Sequence, residues 1–269
     1  MKRAFHAAAA TAAALAILAL AGCREGGGTV AVIEVGGSSS VAAALELLAA
    51  EYQELNPGVR LNINATGSSD GILNAGTLYQ FGMSSRELTP VELGMGLSQR
   101  LVAIDGIAVI VHPGSPVRSL TVEQIRAIYT GEATDWGDVT AGIKTGAIAV
   151  VSREAGSGTR GAFEEIAGFP GRLRPGAVEA HSTGAVRSTV AGNPSAIGYI
   201  SVGSVDPSVR AISVGGVAPT EENMRSGAYR IARPFILVYN ELRPESRAFL
   251  DWAVTAGQDV VARNWVRAN

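Results

Sequence analysis

Two hydrophobic patterns alternate along the chain, one typical of strands and one typical of helices. Residues 30–35 and 196–202 are short runs rich in Val and Ile, and Val59–Ala65 alternates apolar with polar side chains. Both patterns are typical of strands. From residue 41 to residue 55, apolar residues recur at helical spacing until Asn56-Pro57-Gly58 ends the segment. This alternation predicts an α/β fold with mostly parallel sheets flanked by helices.

The remaining elements are predicted in the same way. Apolar runs predict strands at residues 79–83, 101–111, 147–151, 209–214 and 231–239. Helical spacing and start signals predict helices at residues 72–78, 89–93, 121–129, 159–167 and 246–265. Thr121 and Gln124 have the spacing of a capping box. Residues 112–116 contain two prolines and break the pattern, so we expect the chain to cross between two lobes there.

Four turns rich in serine and glycine follow predicted strands, after residues 35, 65, 83 and 152. In α/β sheets, ligands bind beyond the carboxyl ends of the strands, where such turns lie. The first N–H groups of a helix lack partners within the helix, and the helix dipole is positive there, so helix starts attract anions. The four turns therefore predict a site for one small anion. In the first turn, Ser39 or Ser40 is the expected N-cap.

The most specific of these turns lies within residues 146–168, where a strand, a turn and a helix start follow one another. Glycine lets the backbone approach a ligand closely, and Ser157 and Thr159 add hydroxyl donors. Arg153 adds a planar guanidinium that matches the geometry of a tetrahedral oxyanion. An ordinary capped turn would explain the serines and glycines but not this arginine.

Gly156, Gly158 and Gly161 also match the dinucleotide fingerprint G-x-G-x-x-G. In that fingerprint the strand runs straight into the first glycine, whereas residues 152–154 intervene here. Glu179 is the only candidate for the acidic residue expected about 20 positions later. A phosphate P-loop needs a lysine that this turn lacks. An oxyanion turn fits these residues better than either nucleotide motif.

Gly67, Ser69 and Gly71 match the nucleophile elbow G-x-S-x-G of serine hydrolases. Ser69 would be the nucleophile and His181 the base. His181 lies in the middle of the chain, without a clear acidic partner in the expected order. A hydrolase built on Ser69 stays open as an alternative function, and loss of esterase activity in Ser69→Ala would support it.

The N-terminus has the pattern of a processed signal. Lys2 and Arg3 precede an apolar run at residues 7–20, which is too short to span a bilayer stably. The following Leu-Ala-Gly-Cys, ending at Cys23, resembles a bacterial lipobox, which implies cleavage before Cys23 and lipidation of its sulfur. Cys23 is the only cysteine, so no disulfide within the chain is possible.

Charge and composition exclude several classes of function. Removing residues 1–22 takes two of the 22 basic residues and none of the 24 acidic ones, so the net charge falls from −2 to −4. A net acidic chain is not typical of a nucleic-acid-binding protein. The mature chain keeps one lysine, Lys144, and two histidines, His112 and His181. We therefore expect no cofactor and no metal site of the usual kind.

Eight segments, taken in order, cover nearly the whole mature chain and resemble one family, the phosphate-binding lipoproteins of bacterial high-affinity phosphate ABC transporters. They are GGSSSV (36–41), GSSDGI (67–72), GMSSREL (82–88), IDGIAVIVHPGSPVRSLT (104–121), IYTGEATDW (128–136), SREAGSGTRGAF (152–163), SAIGYI (195–200) and GVAPTEENMRSGAYRIARPF (216–235). The segments around Ser85 and Arg153 are the most specific.

The resemblance implies a two-lobed periplasmic-binding-protein fold, type II-like, with a ligand cleft between the lobes. Residues 1–22 would be the signal peptide and 23–28 the lipidated tether. Residues 29–108 would form the first lobe, residues 109–205 the second, and residues 206–269 would return to the first. The implied function is that of a monomeric extracytoplasmic lipoprotein, in the periplasm or at the cell surface. It would capture inorganic phosphate for ABC transporter permease subunits, without catalysis.

By motif position, the resemblance implies phosphate contacts from both lobes. The nine residues are Ser39, Ser40, Val41 through its N–H, Ser68, Ser85, Arg153, Ser157, Gly158 and Thr159. Arg86 is implied either to contact the ligand or to brace its turn. Glu154 is implied to hold Arg153 by an ion pair.

Ser85 is the departure that affects selectivity. Some family members have an aspartate at this position, which accepts the proton of phosphate and repels fully ionised sulfate. A serine hydroxyl can accept as well, but it does not repel sulfate, so sulfate or molybdate is the alternative ligand. We expect a preference for phosphate, with Asp70 or a serine hydroxyl as the acceptor. Gln80 is a second departure, for which we expect a structural effect.

Overall fold

A computed structural model describes residues 30–140, 142 and 146–268. The predicted signal peptide, the lipidation site at Cys23 and the tether lie outside the described residues. Within the described ranges, no helix is long and apolar enough to cross a lipid bilayer.

In the first part of the chain, strands and helices alternate up to one long strand. The elements are β1 (Ala31–Gly37), α1 (Ser39–Leu55), β2 (Val59–Ala65), α2 (Ser68–Leu73), β3 (Phe81–Ser84), α3 (Pro90–Leu93) and β4 (Ser98–Val111). The predicted strand at residues 59–65 is confirmed exactly in its bounds. The predicted N-cap of α1 was wrong, because Ser39 is already helical and the Ser38 hydroxyl accepts from the N–H of Val41.

The second part of the chain alternates in the same way before it returns to the first. It contains β5 (Ser119–Leu120), α4 (Val122–Thr130), α5 (Trp136–Val139), β6 (Ala149–Arg153), α6 (Gly158–Ile166), β7 (Val178–Ala180), α7 (Thr183–Ala191), β8 (Ala196–Ser201), β9 (Arg210–Ala211), β10 (Ser213–Val214) and α8 (Glu221–Arg225). The returning elements are β11 (Ala232–Tyr239), α9 (Pro244–Ala253), α10 (Gln258–Val261) and β12 (Val266–Arg267). The capping box of Thr121 and Gln124 at the start of α4 is confirmed.

A curled central sheet has the strand order β2-β1-β3-β11-β4-β8-β6-β7. Toward its edges the strands pair in parallel, β1 with β2 and β3, and β6 with β7 and β8. Parallel pairing places the carboxyl ends of these strands side by side, which is where the serine- and glycine-rich turns begin. At the centre, β4 pairs antiparallel with β11 and with β8. The parallel pairing that we predicted is therefore found in each half of the sheet, but not at its centre.

Strand β4 carries the chain from one half of the sheet to the other. Residues 98–106 pair with β11, and residues 107–111 pair with β8. Asp105 does not interrupt the strand, because Arg233 lies opposite it on β11 and pairs with its carboxylate. The crossing that we expected at residues 112–116 was wrong: the chain crosses within β4 and returns on β11.

Each half has its own hydrophobic core. In the first, α1, α9 and α10 cover one face of the sheet around buried side chains such as Leu45 and Phe249. In the second, Phe163 and Tyr199 stack with ring centroids 4.1 Å apart. Ile212, Val214, Met224, Tyr229 and Ile231 pack in this second core, because the return crossing comes only with β11. The predicted domain limits, including the one at residue 206, stay predictions.

Ser246 offers a test of packing in the first half. It lies in α9, is fully buried, and its hydroxyl has no hydrogen-bond partner among the described residues. Because an unpartnered buried hydroxyl costs free energy, Ser246→Ala should raise the free energy of unfolding by about 1 kcal/mol. Urea denaturation measures this. Ser201→Ala removes a buried hydroxyl that donates to Asp105, so it should lower stability; if both variants lost stability equally, the explanation would be wrong.

Candidate anion-binding site

Helix starts from both halves of the protein meet in the cleft between them. Ser40 Oγ, in the first turn of α1, lies 3.0 Å from Thr159 Oγ1 of α6 and 3.0 Å from Thr183 Oγ1 of α7. The short helix α2 begins at Ser68, directly beside Gly158. Helix starts carry unpaired N–H groups and the positive end of the helix dipole. The fold therefore concentrates N–H donors around one small region.

Ser85, in the turn after β3, is the centre of a buried hydroxyl cluster. Ser38 Oγ donates to Ser85 Oγ at 2.9 Å, and Ser68 Oγ lies 3.3 Å from the same atom. The backbone N–H of Ser85 donates to Ser68 Oγ at 3.2 Å. All three residues are buried. A hydroxyl can both donate and accept, so this cluster can meet either an ionised or a protonated ligand oxygen.

Arg153 ends β6 and is 2% exposed. Its Nε and Nη2 donate to the carboxylate of Glu154 at 2.8 and 2.7 Å, and Nε also donates to the Ala180 carbonyl at 3.2 Å. The N–H of Arg153 donates to the hydroxyl of Tyr199, whose pKa burial raises to about 12, so this hydroxyl stays neutral. Glu154 holds and neutralises the guanidinium, and the site therefore offers directed donors rather than net positive charge.

Close approach of the two halves at Gly158 requires a glycine. A Cβ on Gly158 would lie 2.3 Å from Ser68 Oγ and 2.9 Å from Ser85 Oγ, too close for any side chain. Ser157 caps α6, since its hydroxyl accepts from the N–H of Arg160 at 3.3 Å. The serine-glycine sequence at the start of α6 thus serves both the cap and the contact between the halves.

The structure brings most of the nine implied residues together. Across the cleft, Ser40 contacts Thr159, Ser39 contacts Thr183, and Gly158 lies against Ser68 and Ser85. Ser68 and Ser85 also contact each other within the first half, and Arg153 and Ser157 belong to the same β6–α6 turn as Gly158. The N–H of Val41 donates to Ser38 Oγ at 3.4 Å. The role of each residue toward a ligand stays a prediction.

Arg86 is held by Glu92. Its Nη1 and Nη2 each donate to a carboxylate oxygen of Glu92 at 2.7 Å, and Nη2 also donates to Ser69 Oγ at 3.3 Å. Glu92 in turn accepts from the N–H of Thr89, as part of the capping box of α3. These contacts favour the bracing role over a ligand contact.

The Arg86–Glu92 pair makes stability depend on pH. The hydrogen bond from Arg86 holds the pKa of Glu92 at about 2, below its ordinary 4.5. The ionised carboxylate therefore stabilises the fold fully above the ordinary value, and this contribution is lost as the pH falls toward about 2. Glu92→Gln should lower the free energy of unfolding at pH 7 by roughly 1.5–3 kcal/mol, and by less at lower pH. Urea denaturation of both proteins at pH 7, 4 and 3 checks this, and a constant difference would contradict it.

Asp70 lies beside the hydroxyl cluster but is held by other residues. Its Oδ1 accepts from the amide of Asn74 at 2.9 Å, and its Oδ2 accepts from the hydroxyl of Tyr79 at 3.3 Å. The ring of Tyr79 covers Gly36 at the end of β1. Among the acceptors that we considered, the Ser85 hydroxyl is therefore better placed than the Asp70 carboxylate.

A buried ion pair that the sequence analysis missed lies behind the hydroxyl cluster. Arg233 donates to Asp105 Oδ2 through Nε at 3.1 Å and Nη2 at 3.0 Å, and through Nη1 to the Ser85 carbonyl at 3.4 Å. Ser201 Oγ donates to the other oxygen of Asp105 at 2.7 Å. Burial raises the pKa of Asp105 and lowers that of Arg233. The signal in the sequence is two opposite charges inside predicted strands 101–111 and 231–239.

Ser38 and Thr183 were also missed. Ser38 is the first serine of the GGSSS turn, and Thr183 begins α7, a helix that the sequence analysis did not predict. The available signal was the Ser182-Thr183-Gly184 sequence, whose composition matches the turns that we did select.

The described contacts place no general base beside Ser69, as the hydrolase alternative would require. The described hydrogen bond to Ser69 Oγ comes from Arg86, whose guanidinium cannot accept a proton. His181 is 78% exposed, and its Nε2 lies 3.9 Å from a carboxylate oxygen of Glu179. The described contacts therefore do not link the proposed nucleophile with the proposed base.

Comparison with known proteins identifies the family of this chain. Residues 9–256 match the family model of the PBP superfamily domain. The phosphate-binding protein PstS of Pseudomonas aeruginosa is 30% identical over 260 residues, which cover 85% of this chain and 80% of the relative. PstS of Borreliella burgdorferi is 27% identical over 245 residues, which cover 86% of this chain and 87% of the relative.

The chain is also similar to solved structures of proteins from phosphate transport systems. A Clostridium perfringens protein, described as a phosphate ABC transporter substrate-binding protein and crystallised with bound phosphate, superposes with a TM-score of 0.86 at 41% identity. The match covers 88% of this chain and all of that one. A Vibrio cholerae ABC-type phosphate transport receptor superposes with a TM-score of 0.72 at 32% identity, over 87% of this chain and 99% of that one.

Proposed function

The chain belongs to the PBP superfamily, and we propose that it is an extracytoplasmic solute-binding protein that captures inorganic phosphate and delivers it to an ABC transporter permease. The relatives named as phosphate-binding proteins match most of its length, and a structure at 41% identity holds phosphate. The binding residues that we propose are the nine that the family resemblance implies.

One observation carries this proposal. Hydroxyl groups and helix starts from both halves converge in the cleft, and the strand that leads into one of these helix starts, α6, ends at the buried Arg153. A tetrahedral oxyanion needs many donors in a small space, and hydrogen bonds to a charged group are about twice as strong as neutral ones. Because Glu154 already neutralises Arg153, the ligand is bound by aimed donors and not by excess positive charge.

We propose no chemical step on the ligand. Ser69 is exposed and is held by Arg86, so the described contacts do not activate it as a nucleophile. The first observation to make is whether an activated ester is turned over by the wild-type protein but not by Ser69→Ala. That result would support the hydrolase alternative.

We propose that the protein is a monomer, attached to the membrane through a lipid on Cys23 after cleavage of residues 1–22. The support is the sequence pattern at the N-terminus, together with relatives that belong to ABC transporter systems. Mass spectrometry of the mature N-terminus tests the anchor, and cleavage at any other residue would refute it.

Calorimetric titration with phosphate tests the function itself. Since donors come from both halves, binding should also hold the halves together, and small-angle scattering should show a smaller radius of gyration in saturating phosphate. Absence of heat and of compaction would overturn the proposed function. Binding without compaction would overturn only the closing of the halves.

A further inference from the structure

Thr183 connects the second half of the protein to two proposed ligand-binding serines. It is the first residue of α7 and is 6% exposed. Its hydroxyl lies 3.2 Å from Ser39 Oγ and 3.0 Å from Ser40 Oγ, and its N–H donates to Ser39 Oγ at 3.2 Å. These three contacts join α7 of one half to α1 of the other.

The segment just before Thr183 contacts the arginine of the site. The carbonyl of Ala180, at the end of β7, accepts from Arg153 Nε at 3.2 Å. Residues 180–183 therefore touch the guanidinium at one end and the serines of α1 at the other. Ser40 has a second partner across the cleft, Thr159, at 3.0 Å. The position of the Ser40 hydroxyl is thus set jointly by α6 and α7.

We propose that Thr183 is a latch for the closed protein, a positioning residue that acts through Ser39 and Ser40. This inference rests on the proposed function. The three contacts exist only while the two halves are together, so Thr183 stabilises the closed form and leaves the open form unaffected. A group that favours one of two conformations raises affinity for the ligand that selects it. Because release of an enclosed ligand requires opening, the effect should fall on dissociation.

Thr183→Val keeps the shape of the side chain and removes its hydroxyl. We expect phosphate affinity to fall about tenfold, equivalent to ~1.4 kcal/mol, with a faster dissociation rate and an association rate within about twofold of wild type. Thr183→Ser restores the hydroxyl and should recover most of the loss. Thr189→Val is the matched control, since Thr189 lies in the same helix and bonds only within it, to the Ala185 carbonyl, among the described contacts.

Titration calorimetry, stopped-flow dissociation and urea denaturation of the four proteins form the test. The latch is overturned if Thr183→Val binds phosphate within twofold of the wild-type affinity, or if Thr183→Ser loses as much affinity as Thr183→Val. It is also overturned if the loss of affinity comes from a slower association rate. Ligand-free scattering separates the latch from the function. If wild type binds no phosphate, the proposed function is wrong; a larger radius of gyration in Thr183→Val than in wild type would still support the latch, and equal radii would overturn it.

Discussion

Arg153→Ala is expected to weaken phosphate binding by about two to three orders of magnitude. Arg153 is the buried cation of the β6–α6 turn, and its guanidinium can grip two oxygens at once. Hydrogen bonds to charged groups are worth roughly 1.5–3 kcal/mol each, and each 1.4 kcal/mol corresponds to about tenfold in affinity. Calorimetric titration of the variant measures the loss.

Three further variants test whether Arg153 binds the ligand directly or only supports the turn. Arg153→Lys should recover only part of the affinity, because an ammonium cannot form the planar fork. Ser157→Ala should cost about 1 kcal/mol, as a single neutral donor. Arg153→Ala also leaves Glu154 without its partner. If adding Glu154→Gln to Arg153→Ala restored most of the affinity, repulsion by the freed carboxylate would explain the loss, and the gripping role would be wrong.

Sulfate is expected to bind at least a hundredfold more weakly than phosphate, a difference of about 2.7 kcal/mol. Phosphate keeps a proton at neutral pH and sulfate does not, so a fixed acceptor faces sulfate without a proton between them, which is costly when buried. Ser85 Oγ accepts from Ser38 and can direct its own proton to Ser68 Oγ, 3.3 Å away. A hydroxyl held in this way presents its remaining lone pair to the ligand as a fixed acceptor. Competition binding measures the difference.

Ser85→Ala and Asp70→Asn identify the acceptor. Ser85→Ala should narrow the gap between phosphate and sulfate. Asp70→Asn should leave it intact, because the Asp70 carboxylate is held by Asn74 and Tyr79. Narrowing by Asp70→Asn alone would transfer the role to Asp70. Equal affinities for the two anions in the wild-type protein would remove the phosphate assignment and leave a general oxyanion binder.

Local patterns in the sequence were sufficient to predict those features of the structure that depend only on neighbouring residues. The alternation in Val59–Ala65 identified β2 because one of its faces packs on the core and the other faces solvent. The capping box of Thr121 needs only Gln124, three residues away. The turn from Arg153 to Thr159 could be selected because the free N–H groups of a helix start belong to the turn itself and attract anions.

Features that depend on partners distant in the sequence could not be found in this way. Asp105 and Arg233 are 128 residues apart and meet only because β4 and β11 pair. Ser40 and Thr183 are 143 residues apart and meet only because α1 and α7 lie against each other where the two halves touch. The strand before α7, Val178–Ala180, is too short and too polar for periodicity to detect. Its neighbours in space, not its own residues, make it a strand.

The crossing of the two halves on β4 and β11 limits how the protein can move. Because β4 runs unbroken from one half to the other, we expect the opening that we propose to bend the sheet near residues 105–107, where the partner of β4 changes from β11 to β8. Bending about a single hinge would give two conformations, an open one with an empty cleft and a closed one with the ligand bound. The permease that we propose as the partner would then distinguish the filled from the empty protein by the positions of the two halves, without touching the anion. Binding of one small anion would thereby change the positions of residues far from the site.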